Sequence, residues 1–238
     1  MDIVTVDLDD TLINTQNHYV NCKDEYACYM HEKFNFDKEN VKELLNDIDY
    51  QLFETMGLSK DRFPESFAKT TEKLLSDKSN VELNKEREKS RNFGLEAFKT
   101  EKEYEEIGFR DNAEEMLDIL KDKYDRIHLL TAGVPSVQNP KIKALNLENW
   151  FDDIHIVGPG RKKNIIEDLR DEYNAQTITH IGNSEQSDVK AAIEADSRAV
   201  YLPNNDWLGT SDTDYRKVDN VYVFESIENY LDHIRTVV

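Results

Sequence analysis

Ile3-Val4-Thr5-Val6-Asp7-Leu8-Asp9-Asp10-Thr11-Leu12 decides how this chain is read. Four β-branched residues in a row read as a buried parallel strand, and two carboxylates two residues apart leave its end. Open α/β sheets keep their ligand crevice at that end. Side chains alternate along a strand, so Asp7 and Asp9 share a side as the chain departs, unless the turn re-aims them. One carboxylate can attack while the other handles a proton. Two so close repel each other, and a divalent cation relieves that repulsion. In a blander reading Asp9, Asp10 and Thr11 cap the next helix, which leaves Asp7 without a task.

Outward from this segment the rhythm is first helical and then alternating. Between Thr15 and Ile107, Tyr19, Tyr26, Tyr29 and Met30, then Val41, Leu44, Leu45, Ile48, Leu52 and Met56, recur at three- and four-residue steps. Breaks near 35–38, 57–62 and 76–81 predict an all-helical insertion of about four helices over residues 15–107. After Gly108 helices at 112–124, 137–145, 163–173 and 188–195 alternate with short β-branched strands at 126–130, 153–157, 177–181 and 198–202. A last strand at 221–224 and a helix at 227–234 follow a polar loop, 204–219, that contains Gly209. This pattern predicts an α/β fold: a Rossmann-like parallel sheet built from residues 1–14 and 108–238, with the helical domain inserted after the first strand.

Composition narrows the partners. The 238 residues suit a core domain with a smaller insertion, and 38% hydrophobic content suffices for a folded core despite 33% charged residues. A net charge of -19 and a pI near 4.7 argue against a nucleic acid or an anionic membrane as partner, since both need a positive footprint. A phosphorylated substrate would need a cation or local positive groups to be drawn in. Cys22 and Cys28 fall on different faces of a predicted helix, beyond disulfide reach, and read as packing residues. No cysteine and histidine spacing suits zinc, no apolar run approaches a membrane span, and the chain opens on a strand; the protein is expected in the cytoplasm.

Three more groups fall at strand ends. Thr131 offers a hydroxyl, with turn amides beside it, to a phosphate oxygen. Lys162 and Lys163 open a helix, where an ammonium is poorly placed for the macrodipole and better placed to meet an anion; one is expected to point inward, with Lys163 preferred. Gly182-Asn183-Ser184-Glu185-Gln186-Ser187-Asp188 gathers oxygen ligands suited to Mg2+.

With this order and spacing, the chain resembles the haloacid dehalogenase-like (HAD) hydrolase superfamily over nearly its whole length. Asp7 to Leu12 matches the opening signature, Thr131 the second motif, Lys162 or Lys163 the third, and Gly182 to Asp188 the fourth. The helical insertion stands where this family carries its cap, and Val137-Gln138 to Phe151-Asp152 looks like its linking segment. The resemblance implies a phosphatase of a small phosphate monoester. Asp7 would be the nucleophile that becomes an aspartyl-phosphate, and Asp9 the acid and base. Thr131 and the lysine would bind phosphate, and Mg2+ would be held by Asp7, the Asp9 carbonyl, Asn183 and Asp188, with Glu185 in reserve. Asn183 departs from the family's usual aspartate and predicts weaker Mg2+ binding. A phosphoryl-transferring mutase and a 2-haloacid dehalogenase are the alternatives among enzymes, although halide release needs no second aspartate. Outside them stand a phospho-accepting signalling module and a phosphate-binding protein without activity. Arg62, Arg87 and Arg91, and residues 14 and 16–18 beyond the catalytic turn, are read as solvated rather than substrate-binding.

Overall fold

The computed structural model describes residues 1–204 and 212–236; the expected loop around Gly209 lies in part outside them. The chain divides into two compact units, Thr15–Thr100 and the combination of Met1–Asn14 with Glu101–Val238.

The first of these is helical: α1 Gln16–Phe34, α2 Lys38–Met56, α3 Arg62–Leu74 and α4 Asn80–Leu95. The Asp37 and Ser79 side chains accept from the amides of Asn40 and Glu82 and so cap α2 and α4. Its core gathers Cys22, Tyr26, Met30, Val41, Leu45, Phe63 and Phe67, of which Tyr26, Met30, Val41 and Leu45 belong to the apolar stripe that the periodicity marks. Both cysteines are free thiols, and burial pushes the Cys22 thiol up to about 11. Gly94 is required where α3 meets α4, since a Cβ there would stand 2.6 Å from Pro64 Cα. Arg62 corrects the solvated reading: it is buried and ion-paired with Asp49. A cavity of about 440 Å³ opens between α1 and α4, lined by His18, Asn21, Glu25, Lys89 and Asn92 among others.

The second unit holds a six-stranded sheet among the described residues: β1 Asp2–Val6, β2 Arg126–Ala132, β3 Asp153–Val157, β4 Thr177–Gly182, β5 Arg198–Tyr201 and β6 Val221–Val223. All pairings are parallel, in the order β3-β2-β1-β4-β5-β6. On one face Val4, Val6, Leu129 and Ile181 meet Met116, Leu117 and Leu120 of α6 (Ala113–Lys123) and Leu231 of α10 (Ile227–Thr236). On the other, Ile3, Leu130 and Ile178 meet Ile166 and Leu169 of α8 (Lys162–Tyr173) and Ala191 of α9 (Lys190–Glu194). β1 is covered on both faces, which is why it reads as an unbroken apolar run.

The strand order reverses beside β1. Val6 stands level with Leu129 on β2 and with Ile181 on β4, so Asp7, Thr131 and Asn183 leave neighbouring strands at nearly one height. One boundary differs from expectation. Helix α5, Glu101–Ile107, belongs to the sheet unit, where Tyr104 is buried in the main core and the helix packs beside α7 (Pro135–Ala144). Amphipathic spacing shows that a helix has an apolar face, not which core it faces. No helix among the described residues is long and apolar enough to cross a membrane.

Candidate active site

The segment after β1 does not cap a helix, because α1 begins only at Gln16. It folds into a tight loop instead. The Leu8 carbonyl accepts from the amides of Leu12 and Ile13 at 2.9 and 3.2 Å, and the Asp10 amide donates to the Ile13 carbonyl. Asp10 takes φ 57°, a left-handed conformation that Asp tolerates better than most residues. Arg110 secures the loop from outside, its guanidinium donating to the Asp10 carbonyl and its amide to that of Leu12.

Asp7 sits at the centre of a buried cluster. Lys162 Nζ donates to Asp7 Oδ1 and to Asp188 Oδ1, each at 2.5 Å, and all three side chains are buried. The preference for Lys163 is therefore reversed: Lys163 lies outward, 3.8 Å from Glu167 one helical turn on. Position 162 is the first helical residue of α8, and its direction is set by the Ile166 and Leu169 face that turns to the sheet. Thr11 Oγ1 lies 3.2 Å from Asn183 Oδ1 and 3.5 Å from Asp7 Oδ2, so two oxygen acceptors converge on one hydroxyl.

Two carboxylates sharing one ammonium leave an excess negative charge out of water. Burial, offset in part by Lys162 and reinforced by Asp188, pushes the Asp7 carboxyl up to about 7. Burial opposes the charge on Asp188 as well, yet Lys162 and His180 hold its carboxyl well below the usual carboxylate range. His180, drawn below the ordinary histidine range by burial, donates from Nε2 to Asp188 Oδ1 at 3.0 Å and accepts at Nδ1 from the Thr5 hydroxyl at 2.7 Å. The Ser184 amide donates to Asp188 Oδ2 at 2.9 Å. Asp188 is thus a brace for Lys162, and among the described residues one lone pair on Oδ2 is left over. Gly182 makes room for it, since a Cβ there would run into its carboxylate.

Asp9 occupies a different setting. Its side chain is 30% exposed, Lys141 Nζ donates to Oδ1 at 2.6 Å and Gln138 Nε2 to Oδ2 at 2.8 Å. Gln138 also donates to Thr131 Oγ1 at 2.8 Å and accepts from Lys141 at 2.7 Å. Thr131 accepts from Gln138 and so keeps its own hydroxyl hydrogen for another acceptor. Gly133 clears the space for Gln138, whose side chain a Cβ would meet at 2.9 Å. Sequence reasoning missed Gln138, Lys141 and His180. Gln138 and Lys141 stand one helical turn apart on α7, the spacing that puts two polar side chains on one face. Glu185, named as a reserve ligand, is buried in the π-helical turn Glu185–Val189.

The donors suit a hard cation. Asp7 Oδ2 and Asn183 Oδ1 are oxygen ligands placed together, and a divalent ion would offset the excess charge of the Asp7, Lys162 and Asp188 cluster.

The model of the haloacid dehalogenase-like hydrolase family matches residues 1–196. The chain belongs to this family. Among solved structures it is similar to a haloacid dehalogenase-like family hydrolase from Xanthomonas campestris, with a TM-score of 0.77 and 16% identity over 100% of this chain and 96% of that one. The HAD-hydrolase YfnB from Bacillus subtilis, bound to magnesium, aligns with a TM-score of 0.60 and 18% identity over 98% and 97% of the two chains. A HAD phosphatase from Thermococcus onnurineus gives 0.57 and 17% over 98% of each. Dehalogenases are also among the matches. No curated protein matches the chain significantly. At these identities the likeness carries the fold, and within the family the reaction is to be argued from the site.

Proposed function

We propose that this HAD-like hydrolase is a cytoplasmic, Mg2+-dependent phosphatase of a small phosphate monoester. The observation that carries the reading is the way Asp9 is held. A halide leaves without a proton, whereas an ester oxygen needs one, so a second carboxylate is useful only to the second chemistry. Here that carboxylate is fastened by Lys141 and Gln138 and stays open to solvent, while Asp7 is buried.

In this reading an Asp7 carboxylate oxygen attacks phosphorus, the bond to the ester oxygen breaks, and Asp9 gives that oxygen its proton. Asp9 then takes a proton from a water molecule, whose oxygen displaces Asp7 and releases inorganic phosphate. Lys162 and the free hydroxyl hydrogen of Thr131 meet the non-bridging oxygens. When bound by Asp7, the Asp9 carbonyl and Asn183, Mg2+ supplies charge neutralisation during transfer. Asp188 acts by holding Lys162, and through its remaining lone pair can support the metal. The helical unit Thr15–Thr100 serves as the cap that selects the substrate. Both cysteines being free thiols accords with a reducing compartment.

The test is phosphate release from a panel of phosphate monoesters, with Mg2+ and with EDTA, by wild type and Asp7→Asn. Metal-dependent release that the variant loses is the expected result. An isomerised product without free phosphate would mean a mutase, halide release from 2-haloacids a dehalogenase, and full turnover by Asp7→Asn would remove it as the nucleophile.

A further inference from the structure

The site just described uses the C-terminal ends of the strands. A second group of ligand-type side chains lies farther back, at the β2/β3 edge. His128 on β2 stands level with Asp153, the first residue of β3, and His155 follows two residues later, level with Leu130. Alternation along each strand puts all three on one sheet face. Their ligand atoms lie within 4.8 Å of one another. The separations are 3.2 Å from His128 Nδ1 to His155 Nε2 and 3.7 Å from His155 Nε2 to Asp153 Oδ2.

We propose that His128, His155 and Asp153 form a second metal site, for a borderline divalent ion such as Zn2+, that ties β3 to β2. Two imidazole nitrogens each about 2.0–2.1 Å from a tetrahedral ion stand about 3.3 Å apart, close to the 3.2 Å between His128 Nδ1 and His155 Nε2. Two histidines and a carboxylate leave a fourth position for water, and the Asp153 side chain is 65% exposed, which opens the group to ions from solvent. His128 is 1% exposed in a strand interior with Nδ1 turned to His155 Nε2, so an ion bound there would have the buried imidazole as its inner ligand and the exposed carboxylate as its outer one. Tyr173 of α8 packs beside its ring and Arg126, paired with Asp152, lies over that tyrosine, so the remaining neighbours are packing groups and one ion pair.

The two sites would not compete for one metal. The cluster at Asp7 offers oxygens and suits Mg2+, whereas imidazoles favour Zn2+, Co2+ or Ni2+. They are separate in space as well, since His128 lies three residues, about 10 Å, back along β2 from Thr131. The role is structural: among the described residues the edge strand is paired on one side only, and a shared ion would add a bond across that pairing.

The experiment titrates Co2+ into the tag-free full chain with Mg2+ in excess, following visible absorption and the imidazole 15N resonances. One Co2+ per chain with the intense band of a four-coordinate ion, 15N shifts of only the His128 and His155 imidazoles when diamagnetic Zn2+ takes the place of Co2+, and an affinity at least tenfold lower in His155→Gln are expected. Asp153→Asn, at an exposed position, should weaken binding several-fold and keeps the test open should His155→Gln not fold. No binding by wild type, binding without the four-coordinate band, or equal binding by wild type and both variants would overturn the site.

Discussion

Asp7 and Asp9 are two residues apart and each faces a lysine, yet their surroundings are opposites. On the Asp7 side one ammonium serves two carboxylates and everything is buried. On the Asp9 side one ammonium serves one carboxylate, Gln138 completes the pairing, and the acid is reachable by water. Two like groups are driven apart by their settings rather than by their own chemistry. The first side carries a surplus charge that a cation can settle. The second is balanced and open, which suits proton traffic.

The largest way to break this contrast is Lys162→Met. It leaves Asp7 and Asp188 buried without a counter-charge, and metal-free stability should fall by about 3–5 kcal/mol, read from the urea midpoint. Turnover should drop with it, while Lys163→Met should alter stability by less than about 0.5 kcal/mol. Lys141→Met, by contrast, leaves Asp9 able to turn to water; it should cost less stability and slow turnover by about 10²-fold. Equal destabilisation by the two inward lysines would end the distinction.

A smaller and more specific effect is the pH response of the metal-free chain. Asp7 titrates near 7 in the folded protein against 3.8 ordinarily, so between those values the native state holds a proton that the unfolded chain has released. Stability should therefore fall as pH rises through that window, by at most about 1.4 kcal/mol per unit. Asp188, shifted the other way, contributes stability above its ordinary range that is lost only at lower pH. Asp7→Asn should flatten the fall and melt above wild type at about pH 8 without metal, with Mg2+ restoring the wild type. A wild-type melting temperature constant from about pH 5 to 8 without metal would contradict the surplus charge on the Asp7 side.

The mildest change sharpens the metal reading. Asn183→Asp adds a charge beside Asp7 and should tighten Mg2+ binding several-fold by calorimetry; unchanged affinity would count against Asn183 as a ligand.

Much of this was legible because the relevant signals are periodic or local. The β-branched run before Asp7, the strand and helix alternation after Gly108 and the breaks at 35–38 and 57–62 all follow from spacing. What stayed hidden depends on direction. Lys162 and Lys163 are indistinguishable by type and neighbourhood, and a helical step of about 100° sends one inward and the other to solvent. Gln138, Lys141 and His180 look like ordinary helix and strand residues until α7 and β4 are set against the Asp7–Ile13 loop. Arg62 was misread for the same reason, since its partner Asp49 lies on another helix. Glu101–Ile107 has the right period and the wrong core.

Gly133 and Gly182 have no side chain to offer the chemistry. Each is nonetheless empty because Gln138 or Asp188 fills the space where its side chain would be. In a scan of single substitutions both would score as though they were part of the chemistry, and alanine, the mildest replacement elsewhere, would be among the more damaging. A methyl group there acts as a built-in competitor for a place that a working side chain already occupies.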